Sequence, residues 1–209
     1  MAKVKMSKKA ASIDMTAMCD VAFLLLTFFI LTATAKNPEP LPVETPNSTV
    51  QSKLPEDNLA VITIGDGDKV FYGIKGREVR KRTLELMGDM YNIQFTDKEK
   101  DEFALIEEFG APIEALKQVI AMKGADRNKK GVQPGIPHDT LNDNKDNQLK
   151  DWIYTSRQAN IDVQQEQLNF AIKGDAKEQY PKVKQIMDEL QKQKVNSFSL
   201  VTGLRGKNY

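Results

Sequence analysis

Asp20 stands between Cys19 and Val21, where a run of fifteen residues without a charge begins and continues to Ala35. A carboxylate inside a membrane helix costs at least about 3 kcal/mol on insertion scales, so it survives where it faces a protein interior or a hydrated path. In such a place the ionised form is expensive and the protonated form nearly neutral. At 100° per residue, Thr27 and Thr34 follow Asp20 on nearly the same helical face and Thr16 lies one turn before it. Val21, Leu25, Phe28, Phe29 and Ile30 fall on other faces, so a polar seam runs down an apolar helix. Asp14 is rotated by about 120° from that seam, nearer the basic end, and reads as interfacial.

Two plainer readings compete. The segment could be an inert anchor whose Asp20 sits by accident near the headgroups, or a secretory leader with Ala33-Thr34-Ala35 as its cleavage site. The threonine seam weighs against the first. The length of the basic region, and an Asp abutting the apolar core, weigh against the second.

Elsewhere the chemistry is sparse. Cys19 is the only cysteine and His138 the only histidine, so no intramolecular disulfide forms and no Cys/His zinc cluster is expected. The Gly65-Asp66-Gly67-Asp68 stretch resembles a calcium loop only weakly, since the glutamate of an EF-hand is missing. Asp143 and Asp146 lie in a solvated loop. There is no phosphate-cradling glycine loop and no Gly-x-Ser-x-Gly, so neither an enzyme nor a cofactor is expected.

These residues need an anchor and a domain to position them, and 209 residues suffice for one of each. Thirty basic residues nearly balance twenty-nine acidic ones, so no global field attracts nucleic acid. Residues 13–35 make a predicted span of about 35 Å, against a hydrocarbon core of about 30 Å; it includes Asp20. Lys3, Lys5, Lys8 and Lys9 precede it and Lys36 follows, so residues 1–12 are expected in the cytoplasm and the remainder exported.

Residues 36–58 hold five prolines and are expected to form an unpacked linker reaching roughly 70 Å. Residues 59–209 form the exported domain. Leu59–Ile64 and Val70–Tyr72 flank a turn and predict a hairpin. Helical spacing appears in Arg77–Asn92, in Pro112–Met122 with Pro112 at its first position, and in Leu149–Ala159. Gly124–Gln148 reads as a long loop. Phe170–Lys173, a helix from about Lys177 to Gln193, and Ser197–Thr202 predict strand, helix and parallel strand with a right-handed crossover. The predicted class is α+β: one N-terminal transmembrane helix, a Pro-rich linker, and a small α/β domain with a mixed sheet and helices on one face.

The stretch Ile13 to Leu26, with Asp20 followed by a short aliphatic run, resembles the membrane helix of the ExbD/TolR family, proton-driven motor subunits of Gram-negative bacteria. The closing segment, Phe170-Ala171-Ile172-Lys173-Gly174-Asp175-Ala176 with the helix and strand after it, looks like the family's ending. Many members have Pro where Ala17 stands, and the family's compact exported domain is shorter, which implies insertions at about 76–110 and 124–166. The resemblance implies that Asp20 carries protons, with Thr27, Thr34 and Thr16 lining the path. It implies a bacterial inner-membrane location and a homodimer inside a ring of an ExbB-like protein. The exported domain would act on a TonB-like protein or, on the TolR-like alternative, contact peptidoglycan. A reading of a different class is a membrane-tethered binding module that recognises its ligand through the loop around His138.

Overall fold

The computed structural model describes residues 15–33, 39–48, 54–55, 57–138, 147–175 and 180–204. The chain divides into two compact units, Met1–Asn37 and Pro38–Tyr209.

In the first unit, helix α1 (Met15–Thr32) has 18 residues and a mean hydropathy of 2.0, and none of its side chains is buried. It contains neither Gly nor Pro, and a helix satisfies its backbone polar groups internally, as hydrocarbon demands. Its length of about 27 Å is near what a bilayer core requires.

The second unit is built on a mixed sheet. Strand β2 (Leu59–Gly65) turns through Asp66, Gly67 and Asp68, all at positive φ, into antiparallel β3 (Lys69–Ile74). Gly and Asp are residues that tolerate this backbone region, and Lys69 reinforces the turn by an ion pair to Asp66 at 2.8 Å. On its other side β2 pairs in parallel with β5 (Asn169–Gly174), and β5 in parallel with β6 (Phe198–Val201) across helix α7 (Tyr180–Lys192). A two-residue strand, β4 (Glu108–Phe109), closes the far edge, giving the order β4-β3-β2-β5-β6. The predicted hairpin and the predicted parallel closing unit are both present.

Helices lie on one face. Ala60, Ile62 and Ile64 of β2 and Phe170 and Ile172 of β5 point into the core at the period of two that a strand imposes. They meet Leu84 and Met87 of α2 (Arg77–Tyr91), Trp152 and Ile153 of α6 (Gln148–Gln164), and Ile186 and Leu190 of α7. Trp152 and Phe103 both pack on Phe109, with ring centroids 4.7 and 5.2 Å away. Tyr72 Oη and Ser156 Oγ share a buried hydrogen bond of 2.6 Å.

Several expectations are corrected. Pro112 does not open a helix: residues 112–115 form a turn and α4 is Leu116–Ala121. A short helix, α5 (Gly124–Arg127), interrupts the predicted loop, and α6 runs on to Gln164, past Ala159. Helix α3 (Asp97–Ala104) and strand β4 were not expected. Leu200, in register with core-facing Ile172, is still 56% exposed because β6 is short and lies at the sheet's edge.

The largest correction concerns the Pro-rich stretch, expected not to pack. Residues 39–48 lie as a strap on the helix-free face of the sheet. Leu41 is only 5% exposed, and a Cβ at Gly65 would sit 2.7 Å from Val43 Cγ1. The strap ends in β1 (Asn47–Ser48), which pairs in parallel with β7 (Gly203–Leu204). Prolines forbid helix and central-strand hydrogen bonds, but they do not prevent alternate side chains from packing.

Candidate functional site

Asp20 is the sixth residue of α1, exposed on the isolated helix like its neighbours. It is the only charged residue between Met15 and Thr32. Within a helix each residue rises about 1.5 Å, so Thr16 stands roughly 6 Å before Asp20 along the axis and Thr27 roughly 10 Å beyond it. Thr27 therefore cannot bond the Asp20 carboxyl of its own chain directly. Its hydroxyl donates to the Leu24 carbonyl at 2.9 Å, leaving lone pairs that can accept from water or from another chain. Thr32 Oγ1 donates to Phe28 O at 2.7 Å and lies about 120° from Asp20, off the seam. Leu24 and Leu31 fall within about 40° of Asp20, so the seam is a mixed stripe rather than a continuous polar one. Thr34 and Asp14 lie outside the described residues.

In the second unit, His138 is tied to the fold. Its Nδ1 lies 3.1 Å from Ile136 O and its Nε2 3.5 Å from Asp68 Oδ1 at the hairpin turn. Asp143 and Asp146 lie outside the described residues. Among the described residues no group of three or more His, Cys, Asp or Glu side chains is placed to hold a metal ion.

A chamber of about 520 Å³ opens on the strap side of the sheet. Leu54, Pro55, Leu59 and Val61 form its apolar wall, and Thr63, Glu108 and Lys173 its polar end. Lys173 Nζ is held by the Glu39 carboxylate at 2.5 Å. Glu108 Oε1 is enclosed, with the Thr63 hydroxyl beside the carboxyl. Burial pushes the Glu108 carboxyl above the usual carboxylate range, and the nearby Thr63 hydroxyl and Lys173 ammonium oppose that only in part. Sequence reasoning missed this cluster because its members come from β2, β4, β5 and the strap. One signal was available: Leu41, Val43 and Thr45 alternate with Pro42, Glu44 and Pro46, the period of an extended segment packed on one side.

Neither the curated proteins nor the solved structures contain a match to this chain. The family model for the biopolymer transport protein ExbD/TolR matches residues 6–204, covering α1, the strap, the sheet and all the helices between. The apolar N-terminal helix fits a single-pass inner-membrane protein, and the family serves biopolymer transport by energising it, together with partners of the ExbB/TolQ and TonB/TolA types. With a match over nearly its whole length, the chain belongs to the ExbD/TolR family.

Proposed function

We propose that this chain is a motor subunit driven by the proton-motive force, in which Asp20 takes up protons from the exported side and releases them to the cytoplasm. The observation that carries the reading is a lone carboxylate in an 18-residue apolar helix of an ExbD/TolR family member. Two copies, their helices enclosed by a ring of an ExbB-like protein, would shield Asp20 from lipid. Ionised, Asp20 is confined to a hydrated or hydrogen-bonded position; protonated, it passes apolar walls, so proton uptake and release gate the movement of the helix. One charge crossing 100 mV supplies about 2.3 kcal/mol, so several protons are needed per mechanical cycle.

The N-terminus is cytoplasmic and the α+β domain periplasmic on this reading, and the domain passes motion to a TonB-like protein that opens outer-membrane transporters. Thr27 and Thr16, with Thr34, line the proton path through water. No catalysis is assigned to the chain.

The test is Asp20→Asn, which keeps size and polarity and removes titration. Energy-dependent uptake across the outer membrane is expected to be lost while membrane insertion and protein level stay normal. Unchanged uptake would leave α1 as an anchor and the domain as a tethered binding module.

A further inference from the structure

The strap and the chamber share one cation. Lys173, on the helix-free face of β5, is paired with Glu39 of the strap, and the same ammonium acts electrostatically on Glu108 across the chamber. Glu108 sits on β4 opposite Gly73, with Oε1 enclosed. The other groups facing it are Thr63 of β2, whose hydroxyl is near enough to favour the ionised carboxyl, Glu107 beside it in the chain, and Lys75, which also lines the chamber. Two carboxylates, one on the sheet and one carried by the strap, thus share the chamber with Lys173.

We propose that Glu108 is a proton-operated latch on the strap: with Glu108 neutral, Lys173 holds Glu39 and adds to the docking of residues 39–48, and with Glu108 ionised that pair is weakened and the docked strap shifts toward release. The logic is electrostatic. A neutral Glu108 leaves the ammonium to Glu39. An ionised Glu108 draws the ammonium toward itself and repels the Glu39 carboxylate. The proton leaves to solvent through the open chamber, and no covalent step is involved. Burial holds Glu108 neutral beyond the ordinary carboxylate range, so a rising pH releases the strap and acidification docks it.

This device is independent of Asp20, because it lies wholly within the second unit and needs no membrane potential. It would make the reach of the exported domain depend on the acidity of its surroundings: docked, residues 39–48 add nothing to the tether, and released, they add roughly 30 Å at about 3.1 Å per residue.

The experiment uses the full chain in lipid nanodiscs, with Cys19→Ser and a nitroxide on Pro42→Cys, an exposed strap position between Leu41 and Val43. The mobile fraction of the spin label is read while pH is raised from the ordinary carboxylate range toward pH 8. A rise of about fivefold is expected, since a single charge-pair competition changes equilibria by factors of this order. Glu108→Gln is expected to hold the strap docked at every pH, and Glu39→Gln to give a looser strap that no longer responds. A mobile fraction independent of pH, or a Glu108→Gln chain that titrates like the parent, overturns the proposal. Should Glu108→Gln fail to fold, Lys173→Met decides: without the shared cation the strap is expected to be loose already at acidic pH, with only the smaller change that Glu108–Glu39 repulsion leaves, and a response as large as the parent's refutes the latch.

Discussion

The Lys173 ammonium lies 2.5 Å from the Glu39 carboxylate, joining the sheet to a segment 134 residues earlier in the chain. The pair marks the strap, but apolar contact holds it more strongly. Burying a leucine contributes about 1.5–3 kcal/mol, whereas an ion pair with partly exposed partners contributes about 1 kcal/mol or less. Leu41→Ala is therefore expected to mobilise residues 39–48 more than Lys173→Met does, by the same nitroxide measurement at acidic pH. Equal effects would mean that charge, not packing, holds the strap.

Trp152 fills the centre of the core with its Nε1 enclosed and unpartnered. Truncation to Ala empties a large volume and is expected to cost about 3–5 kcal/mol. Trp152→Phe removes an unsatisfied donor along with part of the ring, and the two effects oppose each other. Its cost is expected to be clearly smaller than that of Trp152→Ala, because most of the ring volume is kept. Urea unfolding of both variants, followed by far-UV circular dichroism, reads the difference.

Thr96 caps α3: its hydroxyl accepts from the Glu99 amide at 3.3 Å while the Glu99 carboxylate accepts from the Thr96 amide at 2.7 Å. That reciprocal arrangement also holds the Glu99 carboxyl below its ordinary value, the Thr96 amide being the main cause. Thr96→Ala is expected to cost about 1 kcal/mol, the usual loss for a helix cap. Measured stability unchanged by this substitution would mean that α3 is held by packing of Phe103 alone.

The Thr96-x-x-Glu99 signature was visible in the sequence, yet α3 was not anticipated, because eight residues with six charges carry no apolar stripe to announce a helix. The elements that were legible are those whose periodicity is long and clean: the β2–β3 hairpin, α2, and the closing β5, α7 and β6. Strand β4 has two residues and owes its existence to its neighbour β3, which no local pattern records. The strap was misread for a related reason. Its prolines exclude helix, and the alternation of Leu41 and Val43 identifies a packed face only once the sheet beneath them is known. For the candidate site, Asp20 was legible because a charge in an apolar run is anomalous by itself, whereas Glu108 is one carboxylate among many until the fold encloses it.

Glu108 also ties stability to pH. Its folded-state pKa is raised, mainly by burial, so between the ordinary carboxylate value of 4.5 and the raised one the folded protein binds more protons than the unfolded chain. Stability from this group is fully present below the unfolded value and is lost as pH rises through the folded one. Unfolding the second unit of the full chain with urea at a series of pH values is expected to show that decline, and Glu108→Gln is expected to flatten it. A decline of equal size in the variant would assign it to other groups.

Thr27 and Thr32 offer a test of the stripe that Asp20 occupies. Both hydroxyls donate to a carbonyl of the same helix, three and four residues back, so removing either costs the helix a comparable amount. They differ in direction: Thr27 lies within about 20° of Asp20 around the axis and Thr32 about 120° away. If protons reach Asp20 along water held on that side, Thr27→Val is expected to slow energy-dependent uptake several-fold while Thr32→Val leaves it near the parent rate. Both variants keep the branched shape and the apolar character of the span, so their membrane levels are expected to match and serve as the control. Equal losses from the two substitutions would separate transport from the stripe and leave Asp20 acting without it.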